Sequence, residues 1–498
     1  MVQIKLEKVK PGMKQTQLLV LGLYEGEPEL LFKRLENNLS SVIKEIVENG
    51  EFTGTLGSNY LLPTFGKIGP KRIMLIGLGK KEKYSKEYAR IIAGKISLKV
   101  QELGLGEFSL VPFSVLDEDL AEAIFEGICL STYKFSKYKS VPGKLPELND
   151  VTILIDTDDP SIQAVFDKSN LIVDAVTFSR DLCNLPPNDC PPAELARVAM
   201  ALANEYNLKV RVIERYEMES LGLNGIISVG KGSSNQSKLI IVEYHGASEN
   251  QRPYLFVGKA VTFDTGGISL KPGEKMDEMK FDKCGGCSVL AVIRAAAALH
   301  LPLNIVAIVP SVENMPSGSS YRPGDIIRMY NGKTVEVANT DAEGRIILAD
   351  SLAFGIRTYD PKAIIDVATL TGAAIIALGA NVAAAISNNI PFMDKLKKAS
   401  EKTGEKLWEL PLYEEFHDQI KSNVADIKNL GGRQGGAITA AAFLANFVAD
   451  KPWIHLDIAG TAWTQDGTYE RSYIPKGATG YGVRTLVKLL QEDESTKN

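Results

Sequence analysis

The chain of 498 residues exceeds what one hydrophobic core usually supports, so two domains are expected. With 45% hydrophobic and 23% charged residues it has the composition of an ordinary globular protein, and a formal net charge of −5 argues against nonspecific binding to nucleic acid or anionic membrane. The N-terminus MVQIKLEKVKPGMKQ lacks the apolar stretch and small-residue cleavage site of a secretory leader, and no apolar run reaches the ~20 residues that span a bilayer, so a cytoplasmic location is expected.

In the first third, β-rich runs alternate with helical ones: QLLVLGLY, KRIMLIGLG, a helix from about 85 to 103, a second from 117 to 133, and the strand VTILIDT. The segment SIQAVFDKSNLIVDAVTFSRDL then carries helical apolar spacing and runs into CNLPPNDCPP, whose prolines cannot continue a helix. A connecting helix at about 161–183 follows. The chain thus divides into a smaller N-terminal α/β domain (1–160), a connecting helix and linker (161–190) and a larger C-terminal α/β domain (191–498). In that second domain KLIIVEY, YLFVGKA, NIVAIVPSV, AIIDVATL and WIHLDIAG read as strands, separated by helices such as SVLAVIRAAAALH and AITAAAFLANFVAD. Near-continuous apolar strands predict a mostly parallel central sheet covered on both faces, whose ligands bind beyond the carboxyl ends of the strands. Only the tail QEDESTKN reads as disordered.

The Gly-rich loops GLGKK, VGKGSS, DTGGIS and GGRQGG match neither phosphate-loop nor dinucleotide-binding spacing. The five cysteines fit reduced thiols, and Cys284-Gly-Gly-Cys287 opens an apolar helix, where small packing residues explain it better than redox chemistry or zinc. None of the four histidines lies within the lysine and carboxylate motifs that follow, and His455 in WIHLDIAG reads as a satisfied core residue.

Chemistry is concentrated elsewhere. Directly after the strand YLFVG come Lys259, Asp264 in TFDTGG, Lys271 in SLKPG and Asp282 in MKFDKCGG. Singly, Lys259 would be an edge lysine and Asp264 a turn residue; together they stand where an α/β sheet places its site. The stretch VANTDAEGRIIL sets Asp341, Glu343 and Arg345 at alternate positions, which an extended backbone would project to one side. A solvated ion pair is the plain alternative, but Ala342 and Gly344 between them permit close approach. Converging carboxylates raise one another's pKa, and paired divalent cations relieve that repulsion.

The sequences GKAVTFDTGGISLKPGEKMDEMKFDKCGG and NTDAEGRIILAD resemble the leucyl aminopeptidase, or cytosol aminopeptidase, family of dinuclear metallopeptidases. The likeness extends through RDLCNLPPND, DVATLTGA, GGAITAAAFL, PWIHLDIAGTAW and KGATGYGVRTLV, and is looser before Arg180. The resemblance implies a metal-dependent aminopeptidase that releases N-terminal, leucine-like residues from peptides with a free N-terminus through a metal-bridging water. It implies two divalent ions, Mn²⁺ or Zn²⁺, held by Lys259, Asp264, Asp282, Asp341 and Glu343, with Asp264 and Glu343 bridging. Lys271 would contact the substrate carbonyl, Arg345 would hold a bicarbonate acting as general base, and Met279, Thr369, Gly372 and Ala478 would line the pocket for the first side chain. A homohexamer is also implied. Cys287 stands where the family leads one to expect a smaller residue. A phosphoryl-transfer enzyme could use paired metals and lysines as well, and nucleic-acid binding occurs in some relatives, though the acidic balance counts against it here.

Overall fold

The computed structural model describes residues 2–27, 37–140, 146–156, 159–467 and 470–495. Two compact units emerge: residues 1–173 with 466–476, and residues 174–465 with 477–498. The division falls inside the helix Pro160–Asn184, which lies where a connecting helix was predicted.

In the first unit six strands, β1 (Gln3–Glu7), β2 (Leu19–Tyr24), β3 (Asn59–Pro63), β4 (Arg72–Gly79), β5 (Glu107–Leu110) and β6 (Asp150–Leu154), form a sheet in the order β1-β6-β5-β2-β4-β3. All neighbours are parallel except β3 and β4. The central strands LVLGLY and RIMLIGLG are buried almost end to end, as expected of parallel strands covered on both faces, whereas the edge strands β1 and β3 alternate between exposed and half-buried positions. Ser85 caps the helix Lys86–Glu102 and Asp117 caps Glu118–Ser131, each side chain accepting a backbone N–H of the first turn. These helices are joined by a buried pair in which Arg90 Nε meets Glu126 Oε2 at 2.6 Å. Late in the chain, residues 466–476 return to this unit: Tyr473 Oη donates to Glu87 Oε1 and Ser472 Oγ to Ile91 O, both at 2.6 Å.

The second unit is built on β7 (Lys209–Glu214), β8 (Lys238–His245), β9 (Tyr254–Gly258), β10 (Ala260–Asp264), β11 (Asn304–Asn314), β14 (Ala363–Ala368), β15 (Ala383–Ser387), β16 (Leu407–Glu409) and β18 (Trp453–Asp457). Their order is β16-β15-β18-β14-β9-β11-β8-β7, with β10 added on β11. The central run β18-β14-β9-β11 is parallel, and β7, β8 and β15 join antiparallel toward the edges. A small sheet of β12 (Ile326–Arg328), β13 (Thr334–Glu336) and β17 (Ile427–Lys428) leads into the loop before Asp341.

Two local expectations are corrected. YLFVGKA is not one strand: β9 ends at Gly258 and β10 starts at Ala260, because β11 is long enough to pair with β9 through Ile305–Ile308 and with β10 through Ser311–Asn314. Lys259 falls at the break, its N–H donating to Val367 O at 3.0 Å. VANTDAEGRIIL is likewise not extended. Residues 337–341 form a loop and Glu343–Tyr359 is a helix, since the run after Gly344 has helical apolar spacing and Glu343 suits a helix N-terminus electrostatically. The tail also departs from expectation, the helix Val483–Ser495 continuing into it; residues 496–498 lie outside the described residues.

Candidate metal centre

The site assembles at the carboxyl ends of the central strands. Lys259 Nζ lies 2.7 Å from Asp282 Oδ1 and 2.8 Å from Glu343 Oε1. Lys271 Nζ lies 2.9 Å from Asp264 Oδ2 and also contacts Asp341 Oδ1. Asp264, Asp341 and Glu343 each offer an oxygen within 4.8 Å of the others, and Asp282 joins them through Lys259. The structure therefore brings together Lys259, Asp264, Lys271, Asp282, Asp341 and Glu343.

Each ligand candidate is held by local structure. Asp264 ends β10 and its Oδ1 accepts from Gly266 N and Asn314 Nδ2, both at 2.9 Å. Gly266 and Gly267 adopt φ of +85° and +67°, turning the chain back so that Lys271 reaches Asp264. Asp282 lies in the 3₁₀ segment Met276–Lys283, its Oδ1 accepting from Thr369 Oγ1 at 2.7 Å. Asp341 N donates to Asn339 Oδ1 at 2.7 Å, and Asn429 binds the same loop through Asn339 O and Ala338 N.

Electrostatically the cluster is under tension. Burial pushes the carboxyl pKa values of Asp282 and Glu343 upward, and neighbouring carboxylates add to it despite the opposing pull of Lys259. Burial also raises Asp341, against the pull of Lys271. For Lys259 burial disfavours the charge, yet Asp282, Glu343 and Asp264 outweigh it and lift the pKa above the ordinary lysine value; Asp264, Glu343 and Asp341 do the same for Lys271. Two buried oxygens, Asp282 Oδ2 and Glu343 Oε2, have no hydrogen-bond partner. Unpartnered carboxylate oxygens among converging acidic groups are the donor set a hard divalent cation needs, so these residues fit a metal centre.

Arg345 is 5% exposed; one Nη donates to Asn429 O at 2.9 Å while its Nε has no partner. Burial lowers its pKa to about 10 against the support of Glu343 and Asp457. Of the expected pocket residues, Thr369 bonds Asp282 directly, and Gly372 is exposed with no atom within 4 Å of where a Cβ would stand. Met279 is half-buried in the 3₁₀ segment. Ala478 is buried and paired with Trp463, whose ring stacks on Phe281 at 5.6 Å and whose Nε1 donates to Glu278 Oε2 at 3.1 Å. Sequence reasoning missed Asn314, Asn429, Trp463 and Asp457. The signal for Asn314 and Asp457 was a polar residue closing an apolar strand; Asn429 carries no comparable signal, because its role depends on a distant loop. His455 is only half satisfied: Nδ1 meets Asp366 Oδ1 at 2.5 Å, while the buried Nε2 has no partner.

A mostly parallel α/β unit with an acidic, lysine-paired cluster at its strand ends fits the class of metallohydrolases. Residues 177–487 match the catalytic-domain model of the cytosol aminopeptidase family and residues 20–142 match that family's N-terminal domain, so the chain belongs to the cytosol aminopeptidase family and is a metal-dependent aminopeptidase. It is 48% identical over 456 residues to a probable cytosol aminopeptidase of Cenarchaeum symbiosum (strain A), covering 91% of this chain and 92% of the relative. A probable cytosol aminopeptidase of Geobacter sp. (strain M21) is 40% identical over 493 residues, covering 98% of this chain and all 100% of the relative. Among solved structures, the bottromycin maturation enzyme BotP in complex with Mn is similar at a TM-score of 0.84 and 30% identity, over 96% of this chain and 99% of that one. Among the described residues no helix is long and apolar enough to cross a membrane.

Proposed function

We propose that the protein releases N-terminal, preferentially leucine-like residues from peptides with a free amino end, as a cytoplasmic homohexamer, and that Lys259, Asp264, Asp282, Asp341 and Glu343 hold two divalent cations, Mn²⁺ or Zn²⁺. The observation that carries this is the pair of buried, unpartnered oxygens, Asp282 Oδ2 and Glu343 Oε2, within the acidic cluster. When bound, the cations would supply Lewis-acid charge, lowering the pKa of a coordinated water and favouring a substrate with a neutral terminal amine.

The chain's own groups do the rest. Lys271, whose pKa Asp264, Glu343 and Asp341 hold above the ordinary lysine value despite burial, would turn its ammonium to the negative charge that builds on the scissile carbonyl oxygen. Lys259 serves as a ligand only after losing its proton. For an ordinary lysine of pKa ≈ 10.4 this costs about 4–5 kcal/mol at pH 7, so cation affinity weakens as pH falls. Arg345, with its unpartnered Nε, would anchor a bicarbonate, which would supply a general base beside the metal centre. Met279, Thr369, Gly372 and Ala478 line the pocket for the first side chain, and a mostly apolar lining favours leucine or methionine over charged residues.

Prolonged chelation is expected to abolish cleavage of leucyl-p-nitroanilide, with Mn²⁺, Co²⁺ or Zn²⁺ restoring it. The N-acetyl derivative is expected to resist, since acylation removes the amine lone pair. Full activity in metal-free protein, or equal rates on both substrates, would overturn the reading.

A further inference from the structure

The residues Thr369–Thr371, just past the end of β14, are held from two directions. Toward the metal centre, Thr369 O accepts from Lys259 Nζ at 3.0 Å and Thr369 Oγ1 donates to Asp282 Oδ1 at 2.7 Å. On the other side stands Asp457, the last residue of β18, whose register partner on β14 is Ala368. Its Oδ1 accepts from Leu370 N at 3.1 Å and Thr371 N at 3.4 Å, and its Oδ2 from Thr371 Oγ1 at 2.6 Å. Ala459 N adds a further bond at 3.2 Å. Thr371 Oγ1 also accepts from Ala374 N at 3.1 Å, capping the helix Gly372–Leu378. Asp457 is fully buried, and a buried carboxylate persists only where donors satisfy it. All but one of these donors come from the loop that touches Lys259 and Asp282.

We infer that Asp457 is a positioning residue: through Thr371 and the loop backbone it holds Thr369 where its carbonyl and hydroxyl set the Lys259 and Asp282 side chains. This rests on the reading of Lys259 and Asp282 as metal ligands. Such outer supports shape metal affinity as well as turnover. Asp457 also supports the charge of Arg345, so the test must separate the loop from the charge. Thr371→Val does so, because it removes the hydroxyl that Asp457 grips and leaves the carboxylate in place.

Three variants of the full chain, Thr371→Val, Thr371→Ser and Asp457→Asn, are loaded with Mn²⁺. Three properties are read: the chelator concentration that strips half the metal, kcat and KM on leucyl-p-nitroanilide, and the melting temperature of the metal-free protein. T371V is expected to fold, to release Mn²⁺ at a chelator concentration about 10-fold lower and to lose kcat about 10-fold with little change in KM, at the low end of the 10–100-fold range for such supports. T371S restores both, and D457N moves both in the same direction as T371V. Wild-type Mn²⁺ retention in folded T371V would overturn the inference, as would losses in T371V that T371S does not restore or that merely follow melting temperature. If D457N fails to fold, T371V and T371S still decide it. If the wild type fails to cleave the substrate, the peptidase reading falls while Mn²⁺ retention still judges the positioning role.

Discussion

Arg345 shows how one residue's surroundings separate two roles. Its single bond to Asn429 O leaves Nε unpartnered, and it forms no ion pair with Asp341 or Glu343 among the described contacts, although it lies two residues from Glu343. Arg345→Ala should therefore leave bound metal near normal while kcat falls about 10²–10⁴-fold, the usual loss for a positioned general base. The loss should shrink as bicarbonate is raised; metal loss with kinetics indifferent to bicarbonate would identify a structural arginine instead. His455 gives a pH prediction at the same scale. Burial pulls its pKa down, but Asp366, which also accepts from Trp453 Nε1 at 2.7 Å, raises it above the ordinary value. A histidine raised on folding contributes stability fully below its unfolded pKa of about 6.5 and loses that contribution as pH climbs through the folded value. Denaturant unfolding should thus show the contribution of this pair declining as pH rises above about 6.5. Asp366→Asn should lower stability at pH 6 by about 3 kcal/mol, as when one partner of a buried pair is removed, and flatten the decline.

At the scale of elements, the site depends on chain reversals and close approaches. Gly344, in the first turn of the helix Glu343–Tyr359, has no room for a side chain: a Cβ there would stand 2.6 Å from Lys259 Cε and 2.8 Å from its Nζ. Gly344→Ala should push Lys259 away from Glu343, and metal titration should show weaker uptake with the fold retained. At Gly266 the positive φ adds strain, and a Cβ would meet Ser269 O at 2.5 Å, so Gly266→Ala should cost about 1–3 kcal/mol and displace the turn leading to Lys271. Much of this was legible in the chain. The long apolar runs gave β4, β11 and β14, and the polar residues at strand ends pointed to the site. The break at Lys259 was not legible, because it depends on how far β11 extends, and neither were the edge strands β1 and β3, whose alternation is shared by charged surface segments. Alternate spacing in VANTDAEGRIIL suggests an extended backbone, but the apolar run after it, which makes the helix, carries the stronger signal. Asp341 and Glu343 still converge, one from the loop and one from the helix start.

For the molecule as a whole, the proposed hexamer predicts a light-scattering mass six times that of one chain; a monomer at micromolar concentration would remove that part of the proposal. Ile376, 89% exposed on the short helix Gly372–Leu378, is a position where assembly could cover apolar surface. The return of residues 466–476 to the first unit bears on biosynthesis. The N-terminal 173 residues emerge early from the ribosome, but Tyr473 and Ser472, which bond Glu87 and Ile91, are made near the end of the chain. At roughly 5–20 residues per second the delay is on the order of 15–60 s. During that interval the first unit lacks a segment of its own structure, so a nascent chain halted before Asp466 should be more open to protease around the helix Lys86–Glu102 than the released protein.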